Sequence, residues 1–240
     1  GKSMMNRSSH KPNLQNITTV SFDGDATLWD FEKVMRHSLG IVLEEIRKAI
    51  PGEYFAALTV DEMIAIRDQI DLESPDSKLE EIRLCAFERT LERSGHPDKN
   101  FARQLNELYM KHRFEDLELY PDVLPAFDFL APRFQIGLLS NGNTYPEKLG
   151  LEEHFDFAIF AQDVGFTKPD PQIFAVTLEH ADCTPEELLH VGDSLPSDVE
   201  GAQNAGISAV WLNRDGVPNE TDIVPDFEIA SLHELPALLP

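Results

Sequence analysis

Five short apolar runs constrain what this chain can fold into: Ile17 to Phe22, Phe134 to Leu139, Phe157 to Phe160, Leu188 to Val191 and Ser208 to Leu212. Each has the length of a strand, and helical patterns separate the later ones. Strand alternating with helix predicts βαβ units, and hence a parallel sheet covered by helices on both faces. The stretch from about Phe31 to Tyr120 breaks that rhythm. It carries no strand pattern, and its apolar residues recur at helical spacing: Val34, Leu39, Val42, Leu43 and Ile46; Met63, Ile64 and Ile66; Ile82, Leu84, Phe87 and Leu91; Phe101, Leu105, Leu108 and Tyr109.

Helix punctuation divides this stretch. Pro51-Gly52, Thr59 three residues before Glu62, Ser74-Pro75-Asp76 and Gly95-His96-Pro97-Asp98 mark ends and starts, giving four predicted helices. The expected architecture is α/β: a doubly wound, Rossmann-like parallel-sheet core over 16–30 and 120–240, with a helical domain over 31–119 inserted after the first strand. An insertion at that point is most simply a lid over the ligand-binding edge. Residues 1–15 are expected to form a disordered or cloning-derived tail.

The net charge of -23, from 20 basic and 43 acidic residues, repels an extended phosphate backbone, so nucleic acid is not an expected partner. A small anion can still bind where a metal, a lysine or a helix N-terminus reverses the local field. No apolar run reaches the ~18 residues of a membrane span. The two cysteines, Cys85 and Cys183, are far apart and expected as free thiols, which fits a cytoplasmic protein.

Polar groups collect where the runs end. The first stops at Asp23-Gly24-Asp25-Ala26-Thr27, the second at Ser140-Asn141-Gly142-Asn143, and the fourth at Gly192-Asp193-Ser194, with Asp198 following. Lys168-Pro169 follows the third, ahead of a helix starting near Asp170-Pro171. Taken singly, each reads equally as a turn, a cap or a surface side chain. Together, at the carboxyl edge where open α/β sheets bind ligands, they form a set of carboxylates, one lysine and one hydroxyl. Carboxylates ~5 Å apart repel by about 3 kcal/mol at an effective dielectric near 20, so a cation or shared protons must compensate. Hard oxygen ligands without His or Cys select Mg²⁺, which commonly binds together with a substrate phosphate. His190 reads as a packed strand residue.

The order of these motifs resembles the haloacid dehalogenase superfamily, specifically its phosphatase branch with a helical cap inserted after the first motif. The resemblance spans Ile17 to about Trp211 and rests on Asp23-Gly24-Asp25-Ala26-Thr27, Ser140-Asn141-Gly142, Lys168-Pro169, and Gly192-Asp193-Ser194 with Asp198 and Gly201-Ala202. It implies Asp23 as nucleophile, and Asp25 as general acid/base that also contributes to the metal through its backbone carbonyl. Asp193 is implied as the other metal carboxylate, Ser140, Asn141 and Lys168 as phosphate ligands, and Asp198 as a support behind them. Mg²⁺ is the implied cofactor.

Ala26 departs from the Gly or Asp common in such motifs and fits the turn unless its φ is positive. Asp25 favours phosphoester chemistry over carbon–halogen cleavage, because only the former needs a proton for its leaving oxygen. The expected activity is hydrolysis of a small phosphorylated metabolite, a sugar phosphate or nucleotide monophosphate, by a monomer or homodimer. A phosphomutase and a non-catalytic phosphate-binding module remain as alternatives. Trp29, Phe31 and Glu32 read as either substrate rim or core and hinge.

Overall fold

The computed structural model describes residues 11–240 and divides into two compact units. One takes in residues up to 27 together with Pro121–Ser140 and Glu153–Pro240; the other is Leu28–Tyr120 with Asn141–Glu152. Most of the expected tail, residues 1–10, lies outside the described residues. Among the described residues, no helix is long and apolar enough to cross a membrane.

The first unit is built on six strands: β1 (Thr19–Phe22), β2 (Gln135–Ser140), β3 (Phe157–Phe160), β4 (Leu188–Gly192), β5 (Ser208–Leu212) and β6 (Phe227–Ile229). All pair in parallel, in the order β3-β2-β1-β4-β5-β6. The connections run outward in opposite directions from β1 and β4. The crevice beyond the carboxyl ends of those two strands is therefore the topological switch point, where doubly wound sheets bind ligands.

β1 is buried along its whole length, because both sheet faces are covered. Alternation sends Phe22 to one face, where its ring meets Phe127 at 5.4 Å. It sends Ser21 and its register partner His190 to the other, where His190 lies edge-on to Phe174 at 5.7 Å. Those two aromatics belong to the helices Val123–Leu130 and Pro171–Ala181. The second starts where Asp170 accepts a hydrogen bond from Gln172 N–H, with Pro171 as its first residue.

In the second unit, α1 (Phe31–Ala49), α3 (Val60–Glu73), α4 (Leu79–Arg93) and α5 (Lys99–Glu115) match the four predicted helices, and a single turn, α2 (Glu53–Ala57), adds a fifth. Asp30, Thr59 and Asp98 cap α1, α3 and α5 by accepting from the backbone N–H three residues on. The buried stripe Met35, Leu39, Val42, Leu43 and Ile46 of α1 packs into one cluster with Phe87 and Leu91 of α4 and Leu105 and Tyr109 of α5. The chain enters and leaves through an antiparallel bridge between Trp29 and Leu119, with Trp29 fully buried, so this side chain is core. Glu32 is exposed and pairs with Arg36.

Segment 141–152 groups with the helices for a reason in its contacts. The Arg113 guanidinium donates to Asn143 Oδ1 at 2.7 Å and Thr144 Oγ1 at 2.9 Å, and Asn143 Nδ2 donates to Glu80 Oε1 at 3.1 Å.

Candidate active site

Beyond β1 the backbone makes one more sheet-like contact, Asp23 N–H to Val191 O at 2.9 Å, and then turns. Thr27 N–H closes the turn on Gly24 O at 3.0 Å, and the Thr27 hydroxyl donates to Asp23 Oδ2 at 3.2 Å. Arg214 secures the turn by donating to Thr27 O at 2.8 Å while bound to both oxygens of Asp122, at 2.8 and 2.9 Å. Ala26 inside this turn has φ 67°, the positive value that its Cβ disfavours. The departure at Ala26 from the expected Gly or Asp is therefore a strained one.

Lys168 is buried and reaches two carboxylates. Its Nζ donates to Asp23 Oδ1 at 2.8 Å and to Asp198 Oδ1 at 2.7 Å. Burial alone would lower its pKa, but Asp198 and Asp23 outweigh burial and raise it, so the amine stays charged. Asp198, also buried, accepts from His190 Nε2 at 2.8 Å and from Ser194 N–H at 3.2 Å. Burial works against its ionised form, yet Lys168 and His190 hold its pKa well below the usual carboxylate range. Behind them His190 Nδ1 meets Ser21 Oγ at 2.7 Å.

Asp193 follows β4 and is half-buried, in a loop held by Trp211 Nε1 donating to the Asp193 carbonyl at 3.0 Å. Burial, then the neighbouring Asp23, push its carboxyl up to about 8. Carboxylate oxygens of Asp23, Asp193 and Asp198 lie within 4.8 Å of one another. Like charges so placed repel by about 3 kcal/mol at an effective dielectric near 20. Lys168 is shared between Asp23 and Asp198, so the three carboxylates have one lysine between them and the cluster still calls for a positive charge. The donors are all hard oxygens, and that set fits a small divalent cation.

Four predicted residues, Asp23, Lys168, Asp193 and Asp198, are thus brought together. Ser140 ends β2, the strand beside β1, and is buried. Asp25 is half-buried two residues beyond Asp23, and its carboxylate is not part of the acidic cluster. Asn141 falls with the helical unit.

The reading of His190 as a packed strand residue is incomplete, because it bridges Ser21 and Asp198. The only sequence signal for this was a polar residue in each of two buried strands. Gly192 stands in the predicted Gly192-Asp193-Ser194 motif, but its role is not legible there: a Cβ would lie 2.1 Å from Asp198 Cγ, so only glycine admits the Asp198 side chain.

Comparison with known proteins identifies the family. The family model described as haloacid dehalogenase-like hydrolase matches residues 17–206. A phosphoserine phosphatase of Thermus thermophilus is 36% identical over 158 residues, a match covering 62% of this chain and 61% of that protein. The N-acylneuraminate-9-phosphatase of Homo sapiens is 26% identical over 235 residues, covering 94% of this chain and 95% of that one. Among solved structures, a 2-haloacid dehalogenase from Pseudomonas syringae pv. Tomato superposes with a TM-score of 0.79 at 31% identity, covering 92% of this chain and 97% of that one. The chain belongs to the haloacid dehalogenase-like hydrolases.

Proposed function

We propose that this hydrolase is a Mg²⁺-dependent phosphatase of small phosphorylated metabolites. The observation that carries the reading is the cluster of Asp23, Asp193 and Asp198, three carboxylates that share one buried lysine. Asp23 and Asp193 would hold the ion, with the Asp25 backbone carbonyl. When bound, Mg²⁺ neutralises the acidic pair and the charge on a phosphoryl group's non-bridging oxygens.

The chain's own residues divide the remaining work. The Asp23 carboxylate attacks phosphorus, held in position by the hydrogen bond that Lys168 Nζ donates to it at 2.8 Å. The Asp25 carboxyl gives its proton to the leaving oxygen and then takes one from the water that hydrolyses the aspartyl-phosphate. Lys168, Ser140 and Asn141 bind phosphoryl oxygens, and Asp198 positions Lys168.

Two relatives named as phosphatases, of phosphoserine and of N-acylneuraminate 9-phosphate, support a small phosphorylated metabolite as substrate. The similarity to a named dehalogenase raises carbon–halogen cleavage as a second reading. Asp25 and the acidic pair weigh against it, because a departing halide needs neither a proton donor nor a cation for phosphoryl oxygens.

A screen of phosphorylated metabolites read by phosphate release tests the proposal. We expect turnover that EDTA abolishes and Mg²⁺ restores, with no halide release from 2-haloacids. Halide release without phosphate release overturns it.

A further inference from the structure

Two helices of the inserted unit bring a second set of metal-ligating atoms together. His112, in the last turn of α5, and Asp116, one turn later at its C-cap, face the same way, as residues four apart on a helix do. His37 comes from α1, and its ring lies edge-on to that of His112 at 6.4 Å. Both imidazoles converge on one oxygen: His37 Nε2 is 3.0 Å and His112 Nδ1 is 2.7 Å from Asp116 Oδ2. The three ligand atoms lie within 4.8 Å of one another.

We propose that His37, His112 and Asp116 form a binding site for a borderline divalent transition-metal ion of the Zn²⁺, Ni²⁺ or Cu²⁺ class, distinct in chemistry from the all-carboxylate cluster of the α/β unit. Metal–ligand bonds of about 2.0–2.1 Å in tetrahedral geometry place donors ~3.3 Å apart, slightly wider than the contacts present here. A shift of a few tenths of an ångström would exchange the bridging protons for an ion. Two imidazole nitrogens with one carboxylate oxygen prefer such ions over Mg²⁺.

The surroundings are suitable in charge and space. A hollow of about 160 Å³ beside the set is lined by Asp30, Lys33, Val34, His37, Asp116 and Glu118, giving room for waters to complete the coordination. Its one cation, Lys33, is engaged by Glu118 at 3.0 Å. Asp116 has no Lys or Arg partner among the described residues, only the two imidazoles. His37 and Asp116 are open to solvent, so an ion can enter without unfolding of the helices.

The test is a calorimetric Ni²⁺ titration of the full chain under excess Mg²⁺, in the Asp193→Asn background so that the other acidic cluster does not contribute. One equivalent of Ni²⁺ per chain is expected. Affinity should weaken about tenfold or more in His112→Gln and in His37→Gln, since losing a ligand costs at least what losing its supporting partner does. Cu²⁺ electron paramagnetic resonance on the unmodified chain should show coupling to two imidazole nitrogens, falling to one in either variant. His37 is exposed and His112 half-buried, and unchanged melting of the ion-free variants checks that the fold is kept. Ni²⁺ uptake that is absent, that vanishes with Asp193→Asn, or that ignores both histidine changes leaves only a hydrogen-bonded His–Asp–His bridge and overturns the proposal.

Discussion

Gly192 and Asp198 are packed so closely that a Cβ on Gly192 would fall 2.1 Å from the Asp198 carboxyl carbon. The backbone at the end of β4 is therefore the wall against which Asp198 is placed, and Asp198 in turn places Lys168. Gly192→Ala should destabilise the protein by about 1–3 kcal/mol, the usual range for overpacking a tight site. It should also lower kcat by about 10²-fold, the scale of a 1 Å misplacement near the chemistry. Denaturant unfolding and phosphate-release kinetics on one preparation check both.

The strain at Ala26 gives a prediction of opposite sign. A left-handed backbone costs an L-residue roughly 1–2 kcal/mol, while glycine's freer unfolded chain takes back about 0.4–1 kcal/mol. Ala26→Gly should therefore stabilise the fold, by up to about 1.6 kcal/mol. A rise in melting temperature with intact activity is the expected readout.

Under the proposed Mg²⁺ reading, the raised carboxyl of Asp193 would link metal binding to pH. Its folded-state pKa of about 8 lies above the ordinary carboxylate value, so between the two the folded chain holds a proton that the unfolded chain has lost. Its contribution to stability is fully present below the unfolded pKa and is lost as pH rises towards 8. A cation must displace that proton. Mg²⁺ affinity should climb close to tenfold per pH unit below about 8 and level off above it, with one proton released per ion, as calorimetry in buffers of different ionisation enthalpy can measure.

His190 is predicted to affect turnover through Asp198. His190→Leu keeps the bulk but removes the hydrogen bonds at 2.8 Å to Asp198 and 2.7 Å to Ser21, leaving buried polar atoms short of a partner. The expected loss is about 1–3 kcal/mol of stability. Phosphate release should fall in kcat with KM little changed, and His190→Gln should recover part of it.

What was legible in the sequence was what is local. An apolar run that stops at Asp or Ser marks a strand end, so Asp23, Ser140 and Asp193 could be placed from short windows, and helical spacing gave α1, α3, α4 and α5. Position-by-position register was not legible. Ser21 and His190 face each other because β1 pairs with β4, a relation across 169 residues that no window contains. Segment 141–152 joins the helices through Arg113, again a distant contact. β6 and α2, of three and five residues, are too short to show a period.

Trapping the phosphoryl group on Asp23 tests the account most directly. Acid quench during turnover with Mg²⁺ and a labile phosphomonoester, followed by mass spectrometry of the peptide containing Asp23, should show a phosphorylated aspartate in the unmodified chain. Asp23→Asn should show neither the adduct nor phosphate release. Phosphate released at an undiminished rate by Asp23→Asn would contradict the account, as would trapping of the phosphoryl group on another residue.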